Sequence, residues 1–195
     1  EARAALQLPA QACVLVTVAR LLEITPETMR FWAGLLRALP DTLLIVQLLQ
    51  AAEVPPGTID AFGADWDATL SAADVAPSRG LILAGAIGSL GELQNVVMAG
   101  DVFLDSASFA EPDLLHVPLV CGLPVVTREG ATLRTRAGAG LLRTLGLDEW
   151  VARDDAHFAS IITTLVTDES RRAALSERLR TAMSSQPLCC DAMAA

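Results

Sequence analysis

The stretch over residues 101–136, DVFLDSASFAEPDLLHVPLVCGLPVVTREGATLRTR, constrains the fold more than any other part of the chain. It reads as two strand-loop-helix units in succession. An apolar strand over 101–105 leads through a small-residue loop, 106–110, into a helix with Pro112 near its start; a second strand over 124–127 leads into a loop-to-helix transition over 130–136. Successive units of this kind build a parallel sheet and bring their ligand-facing loops to one edge of it. Between the units, Cys121-Gly122-Leu123-Pro124 stops one helix and starts the next strand, since Gly suits the helix end and Pro cannot continue a helix.

The rest of the chain repeats the alternation. Residues 13–18, CVLVTV, form a continuous apolar run of the kind buried on both faces of a sheet, and 42–48, TLLIVQL, form another. Between them Thr25-Pro26-Glu27 gives an N-cap, a proline at the first helical position and an acid in the first turn. Met29, Trp32, Leu35, Leu36 and Leu39 then share one helical face, and the helix stops before Pro40. A helix is expected over 58–76, with Ile59, Phe62, Trp66 and Leu70 as its apolar side, and a third strand over 80–84. Gly85, Gly88 and Gly91 follow at a spacing that does not fit the dinucleotide fingerprint and read as a strand-to-helix loop. Helices over 2–8, 135–145, 154–166 and 169–184 and a short edge strand over 149–152 complete the reading. Gly138 and Gly140 weaken the helix that holds them by about 1 kcal/mol each, which suggests close approach to the sheet or to a ligand. Arg171, Arg172, Arg178 and Arg180 read as a solvated helix face. The expected fold is α/β: one open, mostly parallel Rossmann-like sheet with helices on both faces, in a single domain over 1–195 cut from a longer chain.

Charge and composition remove several functions. The net charge of −9 argues against nucleic acid or an anionic membrane surface as the main partner. No apolar run approaches the roughly 20 residues of a membrane span. All 14 basic residues are arginine. Cys13 and Cys121 read as small packing thiols, and Cys189-Cys190 have no histidine at zinc-ligand spacing, so all four read as reduced thiols in a cytoplasmic protein, with no metal expected.

The run DVFLD, followed by CGLPVVTREGATLRTRAGAGLLRTLGLDEWVA, resembles the C-terminal domain of the protein O-GlcNAc transferase and SPINDLY family, glycosyltransferases of GT-B architecture. That family carries a strand ending in Leu-Asp, an Asn/Gly-His-Thr-Thr loop, a helix ending Trp-Ala-Gly-x-Pro, and Gly-Glu-Thr-x-x-x-Arg. The upstream EITPETMRFWAGLLRALPDTLLIVQ is similar to the family's Lys-Ile-x-Pro helix and following strand, and SSQPLCCD to its Ser-Pro-Leu-Phe-Asp. The resemblance implies a nucleotide-sugar donor such as UDP-GlcNAc or GDP-fucose. It also implies a Ser or Thr hydroxyl of a protein as acceptor, an N-terminal half, often helical repeats before that, and neither metal nor cofactor.

Carried over residue by residue, the resemblance makes Asp105, Ser106, Gly130, Thr132 and Arg136 the donor-binding candidates, with Asp105 read as orienting its loop rather than as a general base. The catalytic residues stay unassigned. The family's lysine falls on Glu23, its loop on 109–114 without the His or the Thr pair, and its Glu on Ala131. Arg20 is a candidate substitute cation, with Arg128 and Arg134 as further sources of positive charge. His116 and His157 lie away from the loop and read as packing or surface residues. Two functions therefore stand: the donor-binding half of a protein O-glycosyltransferase, or a catalytically degenerate domain that serves as a scaffold or interaction module.

Overall fold

The computed structural model describes residues 2–105 and 112–185, with the backbone alone at Pro112, Asp113, Arg134 and Ser185. Its frame is a six-stranded sheet: β1 (Cys13–Arg20), β2 (Thr42–Leu49), β3 (Gly80–Leu83), β4 (Val102–Leu104), β5 (Val125–Arg128) and β6 (Val151–Ala152). The strands lie in the order β3-β2-β1-β4-β5-β6 and every pairing is parallel. The chain therefore winds outward from β1 in one direction, returns past it, and winds outward in the other. With right-handed crossovers this puts the helices on both faces and creates a switch point between β1 and β4.

Among the described residues eight α-helices connect and flank the strands: α1 (Ala2–Ala5), α2 (Pro26–Ala38), α3 (Thr58–Ala72), α4 (Leu90–Val97), α5 (Pro112–Val120), α6 (Ala137–Thr144), α7 (Asp155–Thr167) and α8 (Glu169–Ser185). α2 packs on α3, α5 touches α4, α6 and α8, and α7 lies on β4, β5 and β6. Thr25 caps α2 as its sequence predicts, its hydroxyl accepting from the Thr28 amide at 3.2 Å. The expected apolar face of α2 is buried in full, from Met29 to Leu39. Trp32 meets Trp66 of α3 edge to face at 6.3 Å, and the Trp66 indole N–H donates to the Gly80 carbonyl at 2.9 Å. A methyl group at Gly80 would stand 2.6 Å from that indole, so the glycine lets the helix and strand close on each other.

The structure revises several boundaries. The third helix ends at Ala72 rather than 76, because Asp74 turns left-handed at φ 57° and the Val75 amide returns to the Leu70 carbonyl. Gly91 sits inside α4, whose start is set by the Ser89 hydroxyl on the Glu92 amide and the Glu92 carboxylate on the Gly88 amide. The helix expected over 135–145 opens with a 3₁₀ turn, Arg134–Arg136, and the edge strand shortens to Val151–Ala152 after another, Asp148–Trp150. Arg172 departs from the solvated face expected of α8: it is half-buried and donates to the Leu165 and Val166 carbonyls at the end of α7. Cys13 and Cys121 are half-buried free thiols, whereas Cys189 and Cys190 fall outside the described residues. No described helix is long and apolar enough to cross a membrane.

Arg79 holds the end of α2 against the sheet. Its guanidinium donates to the carbonyls of Leu36, Leu39 and Thr42 at 2.5–3.0 Å. These are charge-assisted bonds to the last carbonyls of α2 and to the first of β2, added to the backbone bonds that Leu36 and Leu39 already accept from the Leu39 and Thr42 amides. Replacing Arg79→Met keeps the aliphatic stem and removes the donors. Urea unfolding is expected to show a loss of about 2–3 kcal/mol; a loss within 0.5 kcal/mol, about the scatter of ordinary surface substitutions, would show the cap to be dispensable.

Candidate functional site at the switch point

At the C-terminal edge of the sheet, the ends of β1 and β4 bring two carboxylates into the crevice where open α/β sheets take their ligands. Asp105, the residue after β4, is 7 % exposed, and Glu23, in the 3₁₀ turn Leu21–Glu23 after β1, is 6 % exposed. Neither is a surface charge. The Thr127 hydroxyl at the end of β5 donates to Asp105 Oδ2 at 2.5 Å, and the Asp105 amide donates to the Val126 carbonyl at 2.9 Å. Burial pushes the Asp105 carboxyl up to about 7; the Thr127 bond opposes that rise and the Glu23 carboxylate adds to it. Glu23 Oε2 accepts from the Arg20 amide at 2.8 Å, and Oε1 lies 3.9 Å from the Arg20 guanidinium.

α6 closes this site from the side of β5. A methyl group at Gly138 would stand 2.4 Å from Asp105 Oδ2 and 2.8 Å from the Thr127 hydroxyl. The second glycine of the helix is different: a methyl at Gly140 would have nothing within 4 Å. Of the two helix-weakening glycines, Gly138 is explained by close approach to the sheet edge, and Gly140 by nothing in the structure.

The turn after β5 carries the Gly-x-Thr-x-x-x-Arg candidates. Gly130 donates from its amide to the Thr135 carbonyl at 3.1 Å, and a methyl on it would overlap the Thr135 hydroxyl. Thr132 and Thr135 bond each other reciprocally, hydroxyl to amide, at 3.1 and 3.3 Å. The Thr132 hydroxyl therefore builds the turn. Arg136, exposed at the entry to α6, donates from Nε to the Gly130 carbonyl at 3.1 Å, so the loop folds back on the residue it serves. Glu129 is bound by both terminal nitrogens of Arg143, which pins the exit of β5 to α6.

Arg20, the last residue of β1, and Asp105, Gly130, Thr132 and Arg136, in the segments that follow β4 and β5, thus lie along one edge. Ser106 and the rest of the loop that follows β4 fall outside the described residues. Arg128 pairs with Asp155 of α7. His157 sits in the first turn of α7, where its Nδ1 accepts from the Arg153 amide at 3.4 Å, far in role from any ligand loop. Beside Asp105 a cleft of about 110 Å³ opens between α2 and α7, lined by Glu27, Thr28, Phe31, Arg128, Asp155 and Phe158. Sequence reasoning marked Gly138 as a place of close approach but missed Glu27, Thr127 and Asp155, because they come from three elements that only the sheet order brings together. A larger hollow of about 320 Å³, with Met98, Arg172 and Arg180 in its wall, lies near the opposite ends of the strands. Among the described residues no group of three metal-ligating side chains occurs.

A parallel sheet of this order, with a crevice at its switch point, is the doubly wound Rossmann-like arrangement, which the C-terminal half of a GT-B glycosyltransferase shares with other α/β folds. The chain belongs to glycosyl transferase family 41, whose model matches residues 1–191. It is 28 % identical over 169 residues to the probable UDP-N-acetylglucosamine–peptide N-acetylglucosaminyltransferase SPINDLY of Solanum lycopersicum, covering 87 % of this chain and 17 % of that protein. A mutant of the Thermobaculum terrenum O-GlcNAc transferase superposes with a TM-score of 0.78 at 31 % identity, over 90 % of this chain and 33 % of that one. WaaG, a glycosyltransferase involved in lipopolysaccharide biosynthesis, shares the fold with a TM-score of 0.69 at 18 % identity, over 96 % of this chain and 46 % of its own. The chain spans about a sixth of the curated relatives it matches, 17 %.

Two predictions follow from the packing around Asp105. Because its folded carboxyl stays protonated up to about pH 7 while the unfolded one ionises near 3.8, the native state holds an extra proton between those values. The stability from this group is whole below pH 3.8 and falls as pH rises through 7. Asp105→Asn, which cannot ionise, is expected to gain on the wild type by about 2 kcal/mol or more between pH 5 and pH 8 in urea unfolding. A constant difference would contradict the raised carboxyl. Separately, Gly138→Ala is expected to cost about 1–3 kcal/mol through overpacking, and Gly140→Ala to stabilise by about 0.5–1 kcal/mol. Equal effects at both positions would contradict the close approach.

Proposed function

We propose that this chain is the donor-binding half of a protein O-glycosyltransferase, taking a nucleotide-sugar such as UDP-GlcNAc or GDP-fucose and delivering its sugar to a Ser or Thr hydroxyl of a cytoplasmic protein. The observation that carries this reading is the family match over nearly the whole chain, joined to a folded Gly130–Arg136 turn at the ligand edge. In such transfer the acceptor oxygen bonds to the anomeric carbon as the bond to the nucleotide diphosphate breaks, and the leaving diphosphate gathers negative charge. Cations and aligned N–H groups at that place stabilise it. Arg136, exposed at the start of α6, is the first candidate for the role, and Arg20 the second. Arg20 ends β1 and Arg136 enters α6, both at the ligand edge of the sheet, and that supports giving them this role.

A second reading is favoured by specific residues. Glu23 puts a buried carboxylate where the family's lysine falls, and it turns that carboxylate onto the backbone of its own loop. Leu22, 93 % exposed, and Leu133, 90 % exposed, stand on the loops after β1 and β5. These features suit a domain that has kept the fold for docking and given up the donor.

Calorimetric titration with UDP-GlcNAc and GDP-fucose separates the two. The donor reading expects one of them to bind with Kd below about 100 μM, some 5.5 kcal/mol, and Arg136→Ala to weaken it at least about tenfold. No heat from either ligand at millimolar concentration sinks the donor reading and leaves the docking module.

A further inference from the structure

The switch point holds two buried carboxylates where the donor reading puts a diphosphate, and that arrangement determines what must accompany binding. Asp105 is walled in by β4, by the Thr127 hydroxyl of β5 and by Gly138 of α6, with no room for a side chain between. Glu23, from the turn after β1, adds a second buried carboxylate whose charge bears on it. The surrounding elements do not cancel this charge. α2 contributes Glu27 and α7 contributes Asp155; β5 contributes Arg128, already paired with Asp155; the turn after β1 contributes Arg20 beside Glu23, and the entry to α6 contributes Arg136, bonded to Gly130. α5 carries Asp113 and His116.

We propose, resting on the donor reading above, that this edge binds its phosphate-bearing ligand together with one proton, and that Asp105 takes it up. Two carboxylates and a diphosphate cannot all stay ionised in one buried crevice, and the cheapest relief is to neutralise Asp105, which is held by the Thr127 hydroxyl, rather than Glu23, which has the Arg20 guanidinium beside it. In the neutral form Asp105 also gains an O–H donor at the floor of the site. By linkage, a ligand that favours the protonated carboxyl is bound more tightly when protons are plentiful. The buried carboxyl is already poised for this near neutral pH, at about 7 before any ligand arrives. The domain would thus respond to acidification by holding its donor harder.

Intact sugar nucleotides are the right probes, because their diphosphate is esterified at both ends and carries no group that titrates near pH 7. Titration with UDP-GlcNAc and GDP-fucose at pH 6 and pH 8, each in two buffers of different ionisation heat, reads both affinity and proton uptake. For the ligand that binds, the wild type is expected to bind about fivefold more tightly at pH 6 than at pH 8 and to take up protons from the buffer. Asp105→Asn is expected to bind equally at both pH values with no uptake. Glu23→Gln, which keeps an acceptor for the Arg20 amide, is expected to move the change to lower pH. A pH-independent affinity in the wild type, or a pH dependence that survives Asp105→Asn, overturns the proton coupling while leaving the donor reading intact. Failure of both ligands to bind at either pH overturns the donor reading and the coupling together. Should Asp105→Asn not fold, the Glu23→Gln shift decides alone, its absence counting against the proposal.

Discussion

The short ladder between β1 and β4 is the constraint on which the rest of the structure depends. Only two residue pairs, Leu15 with Val102 and Val16 with Phe103, make it up. Side chains reinforce it at both ends. Asp101 accepts from the Val14 amide at 2.7 Å and binds Arg3 of α1, and the buried Thr17 hydroxyl donates to the Leu104 carbonyl at 2.8 Å. Gly100 lets the chain pass, since a methyl there would stand 2.5 Å from Val16. Together these contacts set how far β4 runs before Asp105 emerges. Had β4 joined an outer strand instead, there would be no switch point and no crevice.

The strands and helices were legible because each carries its own local signal: the β-branched runs of β1 and β2, the Thr-Pro-Glu start of α2, the Gly-Leu-Pro stop between α5 and β5. What periodicity could not give was the left-handed turn at Asp74 that ends α3 early, since an aspartate in that conformation has no mark in a hydrophobic pattern. Nor could it tell Gly138 from Gly140. Both look alike in AGAG, and only the fold puts one of them against a carboxylate and the other in open space. The site was half legible. Asp105, Gly130, Thr132 and Arg136 came from the family motifs, whereas Thr127, Glu27 and Asp155 became its neighbours through sheet order alone. That Thr132 serves the turn itself also needed the folded loop.

Charge gives the molecule its tension. The proposed donor would bring an anionic ligand to an edge where this chain has placed buried carboxylates, and where its arginines are engaged with carbonyls or acids. A guanidinium differs from an ammonium here: it is always charged, planar and able to hold a carbonyl with one nitrogen while presenting others. Arg136 has that geometry, with Nε on Gly130 at 3.1 Å. A rearranged donor site and a retired one thus share the same scaffold and differ in whether the arginines outweigh the acids when a diphosphate arrives.

The most direct test of the central claim, that the switch-point edge is where this domain takes its ligand, is a map of backbone amide shifts by NMR as UDP-GlcNAc and then GDP-fucose are added. A donor site at this edge predicts that the perturbed amides cluster at Arg20, Glu23, Asp105, Gly130 and Arg136, on segments far apart in sequence. Perturbations gathered instead around Met98, Arg172 and Arg180 at the opposite edge, or none with either sugar nucleotide, would contradict it.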